Sequence, residues 1–157
     1  MRILGRRSFG EPGKTLELQR IKSLDEFRNH EIKNEAERRR RMEIEVRLAG
    51  DKNGFSNSGT CYVCNRNVNF FSDFKSAHNG GDGELVPNMR ERLVCPSCGL
   101  NNRMRASIQV FEQLCKPQLD DSIYLTEKTT PLYDWFASHY RDVTGSEYLG
   151  GSVPCGQ

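Results

Sequence analysis

The chain has 157 residues, of which 36% are hydrophobic and 28% are charged, a length that suffices for one ordinary domain or two very small ones. The formal net charge of +2 is too small to imply a global electrostatic attraction to nucleic acid, and no stretch is long and apolar enough to span a membrane. The charge is uneven, because residues 1–50 carry 13 basic and 9 acidic side chains, whereas the remainder carries 10 and 12.

The first fifty residues predict a disordered start and a charged helical arm. Residues 1–13 are rich in Gly and Arg and contain no apolar run of the kind that a secretory signal needs. Residues 15–48 lack Pro and Gly, and apolar side chains recur at near-helical spacing as far as Ile32. The four arginines at 38–41 lie among glutamates that favour i,i+4 ion pairs. A solvated helix, available for contact with another chain, is therefore favoured over a nucleic-acid-binding or lipid-binding patch.

Two Cys-x-x-Cys pairs, Cys61 with Cys64 and Cys95 with Cys98, carry the strongest chemical signal, and 30 residues separate them. Two residues between cysteines let both sulfurs of a tight turn, here called a knuckle, point at one centre. Two knuckles supply the four thiolates that structural zinc prefers. The alternatives are two disulfides or four free thiols. Since no secretory signal is recognisable, a reducing cytoplasm and a structural zinc ribbon over residues 51–117 are the better interpretation.

Composition and periodicity predict the secondary structure on either side of the knuckles and between them. Residues 50–60, rich in Gly, Asn and Ser, predict a linker. The aromatic residues between the knuckles predict a short strand that packs on the metal site rather than stacking on nucleobases. Residues 101–114 predict a helix with one apolar stripe, and Cys115 at its end is interpreted as a small buried hydrophobe rather than a fifth ligand.

Residues 118–157 predict a strand, a helix and a second strand. This order predicts a parallel pair joined by a right-handed crossover. Glu127 ends the first predicted strand and Glu147 ends the second, 20 residues later. Nucleotide-binding crossovers place a ribose-binding acid at about this spacing. From spacing alone, solvated strand-end acids are favoured over ligand-binding residues.

Residues 122–135 and 143–150 resemble a family of class I S-adenosylmethionine-dependent methyltransferases in which a module with two Cys-x-x-Cys pairs precedes the catalytic domain. The motifs are Leu-Thr-Glu at residues 125–127, Gly-Ser-Glu-Tyr-Leu at 145–149 and Arg-x-Arg at 103–105. The resemblance extends over about residues 61–150. It implies that Glu147 binds the ribose of S-adenosylmethionine and that the loop with Glu127 and Thr129 lies beside its methionine part. This loop lacks the glycines usual in the wider superfamily.

The predicted fold is α+β, with an N-terminal charged helix (residues 1–50), the four-cysteine zinc ribbon (51–117) and the first strand-helix-strand of a Rossmann-like domain (118–157). A complete methyltransferase sheet needs further strands, so we expect an N-terminal fragment that is inactive alone and cytoplasmic. Neither the catalytic residues nor the methyl acceptor can be specified from the sequence. The competing hypothesis is a zinc-ribbon module that binds nucleic acid or a protein partner.

Overall fold

The computed structural model describes residues 20–80 and 83–147, and this part of the chain has an α+β architecture. It contains one long helix, three shorter helices and three separate two-stranded sheets. The predicted disorder of residues 1–13 falls outside these ranges. In chain order the elements are α1 (Leu24–Leu48), β1 (Phe55–Cys61), β2 (Arg66–Ser72), β3 (His78–Asn79), β4 (Leu85–Val86), α2 (Met89–Arg92), α3 (Asn102–Cys115), β5 (Ser122–Leu125), α4 (Pro131–His139) and β6 (Asp142–Gly145).

The long helix α1 begins at Leu24, later than the periodicity predicted. Ser23 caps it, because its hydroxyl accepts a hydrogen bond from the backbone N–H of Glu26 at 3.1 Å. Residues 20–22 are not helical, and residues 15–19 fall outside the described part of the chain. No residue of α1 is buried. The helix is therefore the solvated arm that its charge pattern predicts, with i,i+4 ion pairs from Arg39 to Glu35 and from Arg41 to Glu37.

The ribbon begins with an antiparallel hairpin of β1 and β2. A linker was predicted here, but Phe55–Cys61 is a strand. Its polar side chains occupy the exposed face and bond across the hairpin, from Ser58 Oγ to Asn69 Oδ1 and from Thr60 Oγ1 to Asn67 Oδ1, each at 2.7 Å. A composition typical of loops therefore concealed a strand with one solvated face. Within β2, the backbone of Phe71 pairs with that of Val94 and brings the second knuckle beside the hairpin.

The predicted strand-helix-strand is present as β5, α4 and β6, and the two strands are parallel, with Ile123 opposite Val143. Pro131 occupies the first turn of α4, where its missing N–H costs nothing. The sequence predicted that the second strand continues to residue 149, but β6 ends at Gly145. Residues 148 and 149 lie outside the described part of the chain. One parallel pair with its helix is compatible with several α/β folds, so the Rossmann-like domain stays a prediction.

One hydrophobic core joins the ribbon to the parallel pair. The helix α3 lies between them, and its buried residues Met104 and Ile108 belong to the same cluster as residues from both sides. Among the helices of the described ranges, none combines the length and apolar content needed to cross a bilayer. The other buried members of the core are Cys61, Val63, Phe70, Cys95, Leu100, Ile123, Leu132, Trp135 and Phe136.

Candidate metal centre

The two knuckles have the same backbone design. The first follows Cys61, the last residue of β1, and the second begins at Cys95. The residue after each pair has a left-handed backbone, with φ of 51° at Asn65 and 71° at Gly99. Glycine adopts this conformation without steric cost, and Asn is one of the few other residues that tolerate it. Each chain segment therefore turns sharply as it leaves its second cysteine, so that both sulfurs of a pair face the same side.

The four predicted ligands lie together, with all four sulfur atoms within 4.8 Å of one another. The Sγ atoms of Cys61 and Cys98 are 4.0 Å apart, and those of Cys64 and Cys95 are 3.8 Å apart. A tetrahedral zinc with Zn–S bonds of about 2.3 Å requires S···S distances of about 3.8 Å, whereas a disulfide requires about 2.05 Å. None of the four forms a disulfide. This group could hold a metal ion, and its geometry is consistent with zinc.

Cys115 does not belong to this group. It ends α3 and is exposed, which corrects its interpretation as a small buried hydrophobe. That Cys115 is not a metal ligand stays a prediction. Its exposure follows from its position at the last turn, after the buried stripe of the helix has ended.

Backbone amides support the sulfur atoms of the knuckles. The N–H of Cys64 donates to Cys61 Sγ and the N–H of Ser97 donates to Cys95 Sγ, each at 3.4 Å. Cys61 and Cys95 are fully buried, whereas Cys64 and Cys98 are partly exposed. Hydrogen bonds to the ionised form stabilise a thiolate. The same turns that direct the sulfurs inward therefore also prepare them to bind a cation.

The environment of the thiols affects their ionisation in opposite directions. Burial raises the pKa of Cys64 and of Cys98. Burial acts the same way on Cys95, but hydrogen bonds from the amides of Cys98 and Ser97 and from the side chains of Cys98 and Cys61 together lower the pKa of Cys95 to about 7. Since a metal binds only thiolates, occupation of the site must displace the protons of the less acidic thiols.

An ion pair between Asp73 and Arg92 joins the end of β2 to α2. Nε and Nη2 of the guanidinium donate to the two carboxylate oxygens at 2.8 and 2.6 Å. The Asp73 side chain is 4% exposed, and the hydrogen bonds from Arg92 lower its pKa to about 2. This bidentate contact fixes the segment that leads into the second knuckle.

Glu127, predicted to bind the cofactor, faces the ribbon. Its Oε1 accepts from Arg103 Nη1 at 2.9 Å, and the same guanidinium contacts Glu91 of α2 at 3.2 Å. Among the described residues, Glu127 Oε2 and Thr130 Oγ1 are buried without a hydrogen-bond partner. Arg103 thus connects the start of the loop after β5 to α2 and α3. The loop also contains two buried oxygen atoms without hydrogen-bond partners.

Thr129 and Glu147, the other predicted cofactor residues, lie together at the carboxyl ends of the parallel strands. Glu147 Oε2 accepts from the backbone N–H of Lys128 at 3.0 Å, the N–H of Thr129 at 3.1 Å and Thr129 Oγ1 at 2.8 Å. The structure therefore brings Glu147 to the predicted loop, where it binds the loop backbone. Glu127, at the start of the same loop, pairs through Oε1 with Arg103.

Sequence reasoning missed two residues that shape the metal centre. Asn65 matches Gly99 in position after its cysteine pair, and this correspondence was a readable signal. Arg105 is buried beside Met104 on α3 and stacks on Phe70. The sequence contained a hint of this, because Arg105 precedes Ile108 by three residues and therefore shares its helix face. An arginine on an apolar stripe usually indicates a specific partner.

Comparison with protein-family models, with curated proteins and with solved structures gives no significant match. The class of protein is therefore defined by its own fold and site. It is an α+β protein with a four-cysteine group that could bind zinc, next to a parallel strand-helix-strand unit.

Proposed function

We propose that the chain is part of a class I S-adenosylmethionine-dependent methyltransferase whose cofactor-binding sheet begins at β5 and is supported by a structural zinc ribbon. The main observation in support is that the loop 127–130 and Glu147 meet at the carboxyl ends of two parallel strands. Ligands bind at this edge in open α/β sheets. The family resemblance of residues 122–150 supports the same interpretation.

In this proposal the zinc is structural. Cys61, Cys64, Cys95 and Cys98 would hold it, and four protein thiolates leave no open coordination position for a substrate. The binding free energy of such an ion contributes directly to folding. Because the core of the ribbon continues into the parallel pair, the metal would stabilise the cofactor site as well as the knuckles.

The cofactor would lie across the loop 127–130. Glu147 would accept hydrogen bonds from the ribose hydroxyls, exchanging some of its contacts with Lys128 and Thr129 for them. The unsatisfied Oε2 of Glu127 and Oγ1 of Thr130 offer acceptors for the ammonium group of the methionine part. The methyl acceptor is not specified by any of these residues.

Metal analysis tests the zinc ribbon. We expect one zinc per chain in freshly purified, reduced protein, and we expect Cys95→Ser to lower this content because it removes a ligand from the closed set. Cys115→Ser is the matched control and should retain the metal, since Cys115 is exposed and outside the cluster. Protein without zinc under these conditions would contradict the proposal.

Titration of the zinc-loaded, ¹⁵N-labelled chain with S-adenosylmethionine tests the cofactor site. We expect the amide signals of Lys128 and Thr129 to shift, with a dissociation constant in the millimolar range for a site built from one strand pair. Glu147→Ala should weaken binding roughly ten- to a hundredfold, whereas Glu43→Gln on the exposed α1 should not. Unchanged loop signals at saturating millimolar cofactor would rule out this assignment.

The second candidate is a zinc-ribbon module that binds a protein partner through α1. The observation in its favour is that α1 exposes apolar side chains along its length, with Phe27 47% and Ile32 74% accessible to solvent. Intact zinc binding together with the absence of any response to S-adenosylmethionine would favour this candidate over the methyltransferase.

A further inference from the structure

Arg105 is a buried cation that brackets the second knuckle. It is 5% exposed. Its Nη1 donates to the carbonyl of Leu93 at 3.0 Å, before the knuckle, and to that of Leu100 at 2.6 Å, after it. Its guanidinium carbon lies 4.3 Å from the centroid of the Phe70 ring on β2. One side chain thus links the two ends of the second knuckle to the hairpin that carries the first.

The charge of Arg105 has no carboxylate partner within ion-pair distance among residues 20–80 and 83–147: its polar contacts there are the two carbonyls and the side-chain oxygen of Asn102. A buried guanidinium stays protonated and is costly unless an anion compensates it. Burial lowers the pKa of Arg105, and the nearby sulfurs of the four cysteines act against that change. Metal binding requires the cysteines to ionise, and the four thiolates would then place negative charge at the knuckle that Arg105 brackets.

A metal centre of four thiolates has an excess of the opposite, negative charge. Four negative sulfurs overcompensate one Zn²⁺, so the occupied site would carry a net negative charge that is partly buried. We propose that Arg105 is a positioning residue that offsets part of this negative charge and holds the second knuckle closed around the metal. This inference rests on the zinc ligand set of the proposed function and adds a residue that is not itself a ligand.

Two substitutions separate the charge of Arg105 from its hydrogen bonds. Arg105→Gln keeps a donor without the charge, and Arg105→Lys keeps the charge without the planar stack on Phe70. Zinc affinity is measured by competition with a chelator, and the Co²⁺-substituted protein reports the thiolate-to-metal charge-transfer band. We expect Arg105→Gln to weaken zinc binding about ten- to a hundredfold, as loss of an outer-shell partner does, and to move the band. Arg105→Lys should recover most of the affinity and the band position.

Arg103→Gln is the matched control, because Arg103 lies on the same helix but pairs with Glu91 and Glu127. It should leave zinc affinity and the Co²⁺ spectrum unchanged. Equal losses for the Lys and Gln variants would show that the contact is only a structural clamp and would overturn the inference, as would wild-type affinity in both. If Arg105→Gln fails to fold, Arg105→Lys decides instead: recovery of most of the zinc affinity supports the inference, and a loss of tenfold or more contradicts it. Wild-type protein without zinc would instead refute the proposed function itself.

Discussion

At the scale of single residues, the two left-handed positions after the cysteine pairs determine how the metal site is closed. Gly99 has the residue type that this backbone conformation favours, whereas Asn65 tolerates it at some steric cost. The chain thus contains one relaxed and one slightly strained exit from its knuckles. This difference predicts opposite effects for two substitutions at the same position.

We expect Asn65→Gly to be neutral or slightly stabilising, because glycine removes the steric conflict at φ of 51°. Asn65→Ala should lower the free energy of unfolding by about 1 kcal/mol, since alanine lacks the side-chain amide that makes the left-handed region accessible to Asn. Urea unfolding of the zinc-saturated proteins measures both. A destabilised Asn65→Gly variant would show that the Asn side chain itself makes the stabilising contact.

At the scale of elements, the pair of Asp73 and Arg92 connects β2 with α2 and gives a prediction with a defined pH range. The pKa of Asp73 falls to about 2, below its unfolded value of about 3.9. The ionised carboxylate therefore stabilises the fold above the unfolded pKa, and this contribution is lost only as the pH falls toward about 2. At pH values where the thiolates still hold metal, the contribution should be constant.

We expect Asp73→Asn to lower the unfolding free energy by about 2 kcal/mol, the order of a hydrogen bond to a charged group, and to do so equally at pH 7 and at pH 5.5. Denaturant unfolding of wild type and variant at the two pH values measures this. The double variant with Arg92→Met should cost less than the sum of the single changes, because the two side chains act as a unit. A penalty that disappears at pH 5.5 would refute the assignment.

The sequence predicted the features that depend on residues close together in the chain, and it missed those that depend on contacts between distant residues. The cysteine spacing identified the complete four-cysteine cluster, because each knuckle is a short turn. The parallel pair was predicted from alternating strand and helix patterns and is present. The strand Phe55–Cys61 was missed because its Ser, Asn and Thr residues resemble a loop until β2 is placed beside it. The orientation of Glu127 depends on Arg103, 24 residues away, and no local pattern indicates it.

At the scale of the whole molecule, a continuous hydrophobic cluster connects the four cysteines to the parallel pair. Ile108 on α3 is fully buried, and the same cluster extends from Cys61 and Cys95 to Trp135 and Phe136 on α4. If the four-cysteine cluster holds a metal, loss of the metal would therefore remove support from side chains that lie outside the ribbon. The chain contains one tryptophan, and its position in this core makes it a direct reporter.

We expect the emission of Trp135 to move to longer wavelength when a chelator removes zinc, because this ring is 8% exposed in the folded protein and would gain contact with water. Cys64→Ser should show the shifted emission without chelator, whereas Cys115→Ser should respond to chelator like the wild type. If zinc is released while the emission stays constant, residues 51–117 and 118–157 fold as independent units.

The three hydrogen bonds between Glu147 and the loop after β5 also have a kinetic consequence. A ligand that needs this carboxylate, or the amides of Lys128 and Thr129, competes with a contact that the protein has already formed within itself. Only molecules in which these hydrogen bonds are broken can bind such a ligand, and the apparent affinity is reduced in proportion to their fraction. Ligand association should therefore reach a limiting rate at high concentration, set by how often Glu147 releases the loop, and loop mutations should alter that limit before they alter the contacts of the bound state.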